Sequence, residues 1–504
     1  MIRLYLFGLL LLPLVLSVGP AYPGSDSTAP GPKQDGTLTA LSAVAGRGMM
    51  DSHAFRYLTE LSDDIGARVT GTPAADAAVS WSLQTMNSMG LSNVHAESWQ
   101  LWKGWQRVSA TAELESPIHR SLMVDSMGWV GSTAPGGVEA GIVPVNVYNL
   151  QEEMANNSSQ WNGKILLVVQ RGEAPAHPLD SLLQFGDFLK TAYKVHAVAV
   201  IGGQGGRKAT GMHLTHTGVL GFGVYYDIPV VSMSSEDQDQ IERYLDRSKS
   251  VKIKINVQNR ATTGPVESAN VVGEIPGAEH PEQIIVVGGH LDSWDLASGA
   301  TDNGVGTCTT LGAAEAILRS GFRPRRTLRF VLFTGEEEGL LGSFAYVKQH
   351  QSEMSNHVAA VILDNGQGPV TALQMGGHKE LVSAAEPFAA SLQSFGKIDV
   401  NDDTEFGTDT GPFIIAGLPG INLDQDSPDY KYTHHSPVDT LDKVKPETLN
   451  QDATVMALTA FWIADRPDRL ATPWPSGQTA HMLIEKHDDT LLKAFNLWPF
   501  GDAK

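Results

Sequence analysis

Polar residues that could bind metal or move protons follow directly after two apolar runs. The run IIVV leads into Gly-Gly-His290-Leu-Asp292, and the run LRFVLF leads into Thr-Gly-Glu336-Glu337. Imidazole and carboxylate groups are the common ligands of metal ions and the common acid–base groups of enzymes. Four consecutive aliphatic residues are typical of a strand buried on both faces. Such strands place the residues that follow them at the rim of a sheet, where α/β proteins bind ligands.

Three further segments present the same kinds of group. The run VAAVIL leads to Asp364, and PGINL is followed, after a loop, by His434 and His435. Asp302 lies in GATDNGVG, just before a helical pattern. In a parallel sheet the carboxyl ends of the strands share one edge, so residues far apart in the chain can converge. We therefore expect one site built from several strand ends.

The chemistry of these groups predicts a site for two divalent metal ions. Two imidazoles and three carboxylates suit zinc or a similar ion without any cysteine. These five ligands are more than the three protein ligands that a catalytic zinc usually has. They suit two ions that share one carboxylate, and such a pair of ions can activate a water and polarise a carbonyl. A further acid must stay unligated to move protons. The doublet Glu336-Glu337 supplies one, because neighbouring residues at the start of a helix diverge.

The elements that would position these groups predict an α/β fold. From about residue 265 to 465, apolar runs of strand length alternate with helical patterns, as in a mainly parallel sheet. We expect a three-layer sandwich, with a mixed but mainly parallel central sheet flanked by helices. Between about 110 and 258 the chain has short strands and many glycines, which predicts a β-rich inserted domain.

Six motifs occur in a fixed order in the strand-and-helix region. They are HLDSWD, GATDNGVG, FTGEEEGLLGS, LDNG, GTDTGPFIIAGLPG and HHSPVDT. Together they resemble the co-catalytic zinc exopeptidases of the M28 type, in particular the carboxypeptidase Q (plasma glutamate carboxypeptidase) branch. The resemblance covers most of residues 50–460. It includes the 163–258 block, which is similar to the protease-associated domain inserted in many of these enzymes.

The resemblance implies two Zn²⁺ ions per chain, bridged by Asp302 and by a water or hydroxide. His290, Asp302 and Asp364 would bind one ion. Asp302, Glu337 and His435 would bind the other. His435 is preferred to the histidine before it because the family frame His-Ser/Thr-x-x-Asp/Glu-Thr fits only when it begins at His435.

The resemblance also implies catalytic roles. Glu336 would be the general base that serves the metal-bound hydroxide, and Asp292 would orient the imidazole of His290. Folate-hydrolase-like relatives have tyrosine where this chain has His434. The group that polarises the scissile carbonyl is therefore either His434 or the nearby Tyr432.

The predicted domain organisation begins with a signal peptide at residues 1–21. A positive N-terminus, a short apolar stretch and a small-residue exit predict export to a periplasm or to the outside, with no stable membrane anchor after cleavage. The remaining ranges are a linker (22–49), the N-terminal part of the peptidase domain (50–110), the inserted protease-associated domain (111–260), the peptidase domain with the zinc site (261–465) and a C-terminal extension, packed or loose (466–504).

Charge and cysteine content narrow the class of protein. The formal charge of −20, from 56 acidic and 36 basic residues, argues against nucleic acid as a partner. The single cysteine, Cys308, excludes an intrachain disulfide and is expected to be a small buried hydrophobic residue. His213 and His216 are interpreted as ordinary polar residues, because no acid or cysteine completes a metal site around them.

The predicted function is that of an exported di-zinc exopeptidase that hydrolyses short peptides, with dipeptides as the expected substrates. Carboxypeptidase Q-like dipeptidase or carboxypeptidase action is favoured, with aminopeptidase action as the alternative. A non-catalytic, transferrin-receptor-like binding protein and a one-zinc glutaminyl cyclase are rivals, and the complete ligand set argues against both. The family also implies a possible homodimer.

Overall fold

The computed structural model describes residues 36–174, 178–202 and 212–501. The signal peptide expected at 1–21 and the first part of the expected linker, 22–35, lie outside these ranges. Within the described ranges, no helix combines the length and the apolar character needed to cross a bilayer.

The described residues form two mixed sheets and the helices around them. The strands are β1 (Ser92–Leu101), β2 (Trp105–Ser116), β3 (Arg120–Leu122), β4 (Val124–Ser126), β5 (Val138–Asn146), β6 (Ile165–Val169), β7 (Ala199–Ile201), β8 (Val230–Met233), β9 (Lys252–Ala261), β10 (Val266–Ile275), β11 (His280–His290), β12 (Arg326–Phe333), β13 (His357–Ile362), β14 (Val370–Gln374), β15 (Asp399–Asn401) and β16 (Gly420–Gln425). The helices are α1 (Gly36–Met50), α2 (Ala54–Thr59), α3 (Pro73–Met89), α4 (Leu150–Asn156), α5 (Pro178–Lys194), α6 (Ser235–Asp246), α7 (Val305–Ser320), α8 (Leu341–Gln349), α9 (Lys379–Ser391), α10 (Gly411–Ile415), α11 (Tyr430–Thr433), α12 (Pro446–Asp465), α13 (Ser476–Glu485) and α14 (Asp488–Ala494).

The first sheet has the strand order β1-β10-β12-β11-β13-β16-β14-β15. Its four central strands, β12, β11, β13 and β16, are mutually parallel. Antiparallel pairing occurs toward the edges, between β1 and β10, β10 and β12, and β14 and β16. Helices cover both faces, so the predicted α/β class with a mixed central sheet is confirmed.

The apolar run in β11 is buried on both faces of this sheet. Ile285 and Val287 belong to the core that includes α1, α7 and α12. Ile284 and Val286 point the other way, into a core with Tyr346 of α8. Burial of each such side chain contributes about 1.5–3 kcal/mol, so the run fixes the strand in its register.

Two glycines at the end of β11 allow close backbone packing. A Cβ on Gly288 would lie 2.4 Å from the carbonyl oxygen of Val331, and one on Gly289 would lie 2.9 Å from the carbonyl carbon of Gly306. Larger residues would push β11 away from β12 and from the start of α7. The glycines therefore let the strand end approach the turn that carries Asp302.

In the sequence, the strands of the second sheet come between β1 and β10, which are two strands of the first sheet. The strand order of the second sheet is β3-β2-β9-β5-β6-β7-β8-β4. The chain leaves the first sheet after β1 and returns to it at β10, so the second sheet begins at Trp105, slightly before the expected boundary at 111. Its core strands β5, β6, β7 and β8 are parallel neighbours.

The N-terminal described segment is helical, and the linker predicted over 22–49 is wrong from residue 36 onward. α1 buries Ala40, Val44 and Gly48 at four-residue spacing. A Cβ on Gly48 would lie 2.4 Å from the hydroxyl of Thr454 on α12. Small residues on one face thus let α1 pack closely against α12.

The C-terminal extension is packed rather than loose within residues 466–501. Met482 and Leu483 of α13 and Leu492 of α14 are buried in a small apolar cluster with Ile414 of α10. The extension therefore covers part of the first sheet's helical layer.

Candidate metal centre

The carboxyl ends of three parallel strands meet at one edge of the first sheet. β11 ends at His290, Glu336 and Glu337 follow β12 after a short turn, and Asp364 follows β13. Because β12, β11 and β13 are adjacent and parallel, these side chains lie at the same rim.

Two loop segments bring the remaining predicted residues to this rim. His434 and His435 directly follow α11, and Asp302 lies in the irregular turn before α7. The carboxylate of Asp439 accepts hydrogen bonds from the backbone N–H groups of Thr301 at 2.6 Å and Asp302 at 3.2 Å. Burial raises the pKa of Asp439 to about 7. The acid of the HHSPVDT motif therefore holds the turn that carries Asp302, a role the sequence interpretation did not give it.

The first group of candidate ligands is fully buried. The Nε2 atom of His290 lies 3.3 Å from Asp302 Oδ1 and 3.3 Å from Asp364 Oδ1. One donor atom from each of these three residues falls within 4.8 Å of the others. Separations of this size fit three ligand atoms arranged around one small cation.

The second group uses the other oxygen of the same aspartate. Asp302 Oδ2 lies 3.3 Å from His435 Nε2, and Glu337 Oε2 lies 2.9 Å from the same nitrogen. His434 Nε2 is 3.8 Å from Asp302 Oδ2, and its ring stacks on that of His435 with centroids 3.6 Å apart. Asp302 therefore faces His290 with one oxygen and both His434 and His435 with the other. One donor atom from each of Asp302, His434 and His435 falls within 4.8 Å of the others.

Unsatisfied buried oxygens indicate that a cation fits here. Among the described residues, Asp302 Oδ2 and Glu337 Oε1 are buried and have no hydrogen-bond partner. A buried carboxylate oxygen without a partner is costly unless a cation or donor compensates it. The donor set of imidazole nitrogens and carboxylate oxygens is one that zinc accepts. The residues present therefore fit the predicted metal ions.

Crowded acids control the protonation of the site. Burial, reinforced by the charges of Asp364 and Glu337, raises the pKa of Glu336 well above its usual range. Burial also raises the pKa of Glu337 to about 7 and that of Asp364 to about 6. Glu336 stands somewhat apart from the two groups, with its Oε2 atom 3.8 Å from His290 Nε2. Glu336 is thus set apart from the three carboxylates that face the histidine nitrogens at 3.3 Å or less.

Asp292 connects two strand ends behind His290. Its backbone carbonyl lies 3.1 Å from His290 Nδ1, and its carboxylate accepts long hydrogen bonds of 3.4 Å from the N–H groups of Glu336 and Glu337. The hydroxyl of Thr70 donates to the same carboxylate at 3.0 Å. Thr70 was missed because it lies far upstream in the chain, with no motif around it.

A cleft of about 430 Å³ opens onto these groups. His434 and Tyr430 line it, whereas Tyr432 does not. Burial raises the pKa of Tyr430 well above its usual range, so its hydroxyl stays protonated and can donate. Lys431 and Glu405 also line the cleft. Neither Tyr430 nor these two charged residues belongs to a recognisable motif, so sequence inspection did not find them.

Three residues interpreted as structural lie outside the two ligand groups. Cys308 is buried in α7, and burial raises the pKa of its thiol. His213 contacts Asp237 at 3.3 Å within the second sheet's domain. His216, however, reaches the rim, where its Nδ1 atom lies 2.8 Å from the backbone carbonyl of His434.

Several known proteins are similar to this chain. The profile of peptidase family M28 matches residues 270–460. Carboxypeptidase Q from Mus musculus is 31% identical over 437 residues, which cover 86% of this chain and 90% of that protein. The chain belongs to peptidase family M28. Aminopeptidase YwaD from Bacillus subtilis (strain 168) is 24% identical over 423 residues, covering 81% of this chain and 84% of that protein.

A solved structure extends the similarity to the whole fold of this M28 peptidase. The crystal structure of a peptidase M28 precursor from Shewanella amazonensis SB2B matches with a TM-score of 0.76 and 29% identity, and covers 87% of this chain and 99% of that chain. The similarity therefore includes the second sheet as well as the first. Both groups of candidate ligands and Glu336 fall within the 270–460 match.

Proposed function

We propose that this M28 peptidase is a di-zinc exopeptidase that hydrolyses short peptides. One observation carries the proposal: the two oxygens of Asp302 face His290 and His435, each at 3.3 Å. A single carboxylate shared between two groups of imidazole and carboxylate donors is suited to bridge two cations. His290 and Asp364 would complete one ion's protein ligands, and Glu337 and His435 the other's.

Residues of the chain would carry the proton transfers. Zinc bound at this centre would lower the pKa of a coordinated water and polarise the substrate carbonyl. Glu336 would take a proton from the attacking water and return it to the leaving amine. Its raised pKa supports this role, because burial disfavours the charged carboxylate and so makes Glu336 a stronger proton acceptor. Asp292 would hold the His290 ring in its orientation.

The carbonyl oxygen would receive hydrogen bonds from the wall of the cleft. His434 and Tyr430 line the cleft beside Asp302, and their rings contact each other edge to face at 5.0 Å. We propose His434 as the donor to the developing oxyanion, with the protonated Tyr430 hydroxyl beside it.

The charges in the cleft support recognition of a free carboxylate. Among the described residues that line it, Lys431 is the one lysine or arginine, and it has no carboxylate partner within 4.0 Å in the described part of the chain. A C-terminal carboxylate is the ligand that such a lysine would pair with. This favours dipeptidase or carboxypeptidase action, which the similarity to carboxypeptidase Q also favours.

Aminopeptidase action is the second candidate, and Glu405 favours it. Glu405 lines the same cleft, and its carboxylate would attract a free α-amine. A cleft with Lys431 and Glu405 on its wall would admit a dipeptide with both termini free. The volume of about 430 Å³ lies in the range of small-ligand sites.

The second sheet is proposed to be a protease-associated domain inserted into the peptidase domain. Its position between β1 and β10 in the chain supports this assignment. The apolar stretch near the N-terminus supports export of the protein. Whether the protein leaves the cytoplasm is tested by locating it in fractionated cells.

Metal analysis and a substrate panel test the proposed function. Purified protein should contain about two zinc ions per chain and should hydrolyse dipeptides. The panel compares one dipeptide with its N-acetylated and its C-amidated forms. Loss of hydrolysis only on amidation supports carboxylate recognition, whereas loss only on acetylation supports the aminopeptidase. A metal content near zero together with no hydrolysis would refute the proposal that the protein is a zinc peptidase.

A further inference from the structure

A segment of the second sheet's domain lies directly against the two histidines of the metal centre. The backbone N–H of Thr217 donates to the carbonyl of His435 at 2.9 Å. The ring Nδ1–H of His435 donates in return to the carbonyl of Thr217 at 3.2 Å. Beside this pair, His216 Nδ1 lies 2.8 Å from the carbonyl of His434. One backbone hydrogen bond and two hydrogen bonds from histidine rings thus join residues 216 and 217 to residues 434 and 435.

This pairing determines which ring nitrogen of His435 is available. With its proton on Nδ1 and donated to Thr217, the ring presents an unprotonated Nε2. That Nε2 atom faces Glu337 at 2.9 Å and Asp302 at 3.3 Å. A metal-binding histidine typically donates its other ring N–H to a carbonyl or carboxylate, which fixes its tautomer and orientation. Here the accepting carbonyl comes from the inserted domain.

The backbone of His435 also requires support. Its φ angle is 57°, in the left-handed region that non-glycine residues seldom occupy. Such a conformation persists when surrounding contacts hold it. The two hydrogen bonds to Thr217 act on both the main chain and the ring of this residue.

The supporting segment is itself fixed to both domains. The Thr217 hydroxyl donates to the carbonyl of Ser126 at 3.1 Å and accepts from Arg107 at 3.0 Å. Arg107 pairs with Asp295 at 2.8 Å, and both side chains are largely buried. Since Asp295 follows HLDSW in the loop after β11, this chain of contacts links Thr217 back to the peptidase domain. The hydroxyl thus anchors the carbonyl that His435 uses.

We propose that Thr217 is a positioning residue that holds His435 in its metal-binding orientation, so that the inserted domain completes the outer shell of one of the two zinc ions. The inference rests on the proposed function, because it assumes that His435 is a zinc ligand. It goes beyond that function by making the affinity of one ion depend on a domain that supplies no ligand to it.

Thr217→Val tests the proposal, because it removes the hydroxyl and keeps the side-chain shape. Zinc is titrated into the full-length protein against a chelator of known affinity, and the two ions are resolved. We expect one ion to bind about 10–100-fold more weakly, as is typical for the loss of outer-shell support. The other ion, on the side of His290 and Asp364, should keep its affinity. Thr217→Ser retains a hydroxyl and should restore wild-type binding.

Thr215→Val is the matched control. It makes the same change two residues earlier in the segment, where the hydroxyl donates to Asp125 at 2.5 Å. Both zinc affinities should remain those of the wild type. If Thr217→Val does not fold, Arg107→Gln removes the same anchor from its other side and carries the same expectation.

The outcomes separate this inference from the proposed function. The positioning role would be overturned if a folded Thr217→Val or Arg107→Gln variant bound each of the two ions with the same affinity as the wild type does. Equal weakening of both ions would also overturn it, since that indicates general destabilisation. A wild-type protein that binds no zinc would instead overturn the proposed function itself.

Discussion

Glu336 and Glu337 are neighbours in the chain, yet their surroundings differ. Glu337 contacts His435 at 2.9 Å, whereas the shortest ion-pair distance of Glu336 is 3.8 Å, to His290. Burial raises the pKa of both, that of Glu336 well above its usual range and that of Glu337 to about 7. The helix start expected at these residues lies further on, at Leu341, and the two glutamates occupy the turn between β12 and α8. Two identical side chains in this turn can thus differ in their suitability for binding a cation and for moving a proton.

Glu336→Gln should abolish most hydrolysis without loss of metal. The amide keeps the size of the side chain but cannot accept the proton, so kcat should fall about 10²–10⁴-fold. Steady-state kinetics and zinc content are measured on the same preparation. The control is Glu279→Gln, an exposed acid paired with Arg325 at 2.5 Å, which should keep full activity. A Glu336→Gln enzyme with unchanged kcat would contradict the role of general base.

Lys431→Met should selectively weaken the use of substrates with a free carboxylate. The lysine side chain lies on the cleft and stacks its ammonium over the ring of Tyr432 at 4.9 Å. Loss of one exposed charge contact should raise KM for a free dipeptide about 5–10-fold, corresponding to about 1 kcal/mol. Any residual hydrolysis of a C-amidated peptide by the wild type should be unchanged in the variant. Lys443→Met, a lysine paired with Asp442 outside the cleft, is the control, and an equal effect of both variants would contradict carboxylate recognition.

At the scale of elements, buried strands were the most predictable part of the molecule. The run before His290 is apolar on both faces, so its sequence alone indicates a central strand whose end reaches the rim. α1 was not predicted, because its helix continues a Pro-, Gly- and Ser-rich stretch and depends on packing against α12. Tertiary contacts of this kind leave only a weak pattern in the local amino-acid sequence.

Site residues that follow a buried strand could be predicted from the sequence, whereas those that reach the site through tertiary contacts could not. Asp364 follows an apolar run, so its place at the strand end could be read from the sequence. Thr70 and Thr217 reach the centre through contacts with residues more than 200 positions away. Neither has a local signature, since a threonine before a glycine is common in turns. Their roles depend on how the sheets pack, which local spacing does not encode.

A buried acid on α12 gives a test of element packing. Asp452 accepts hydrogen bonds from the N–H of Val370 at 3.0 Å and from the side chain of Gln425 at 3.1 Å. Burial raises its pKa to about 8, against about 3.9 in an unfolded chain. The folded protein therefore holds this proton more tightly than the unfolded chain does. The stability gained from it is complete below about pH 4 and is lost as the pH rises toward 8.

Asp452→Asn should accordingly become more stable relative to the wild type as the pH rises. The amide cannot ionise, so the difference in the free energy of unfolding should grow between pH 5 and pH 8.5 by several kcal/mol, at about 1.4 kcal/mol per pKa unit. Urea unfolding at the two pH values measures it. Glu447→Gln, at an exposed position on the same helix, is the control for an acid-to-amide change. A difference that stays constant with pH would contradict the raised pKa of Asp452.

In the whole molecule, the candidate metal centre lies where residues from the domains of the two sheets meet. The first sheet supplies strand ends and the loop with His435, and the second supplies the backbone of Thr217 and the side chain of Arg107. The chain carries a formal charge of −20, and part of that charge is concentrated at this buried rim. Without compensation, mutual repulsion among these acids opposes the packing of the elements that carry them.

Removal of metal should therefore destabilise the whole folded molecule, not only the site. A ligand that binds the folded state alone adds RT ln(1 + [L]/Kd), about 4 kcal/mol at a thousandfold excess over Kd. We expect a chelator to lower Tm by several degrees and added zinc to restore it. Asp302→Asn removes the shared carboxylate, so the Tm of this variant should respond much less to either treatment. The control is Asp399→Asn, at an exposed position on β15, whose Tm should respond as that of the wild type does. If wild type and Asp302→Asn respond equally, the ion that stabilises the protein lies elsewhere, and the shared carboxylate is not its bridge.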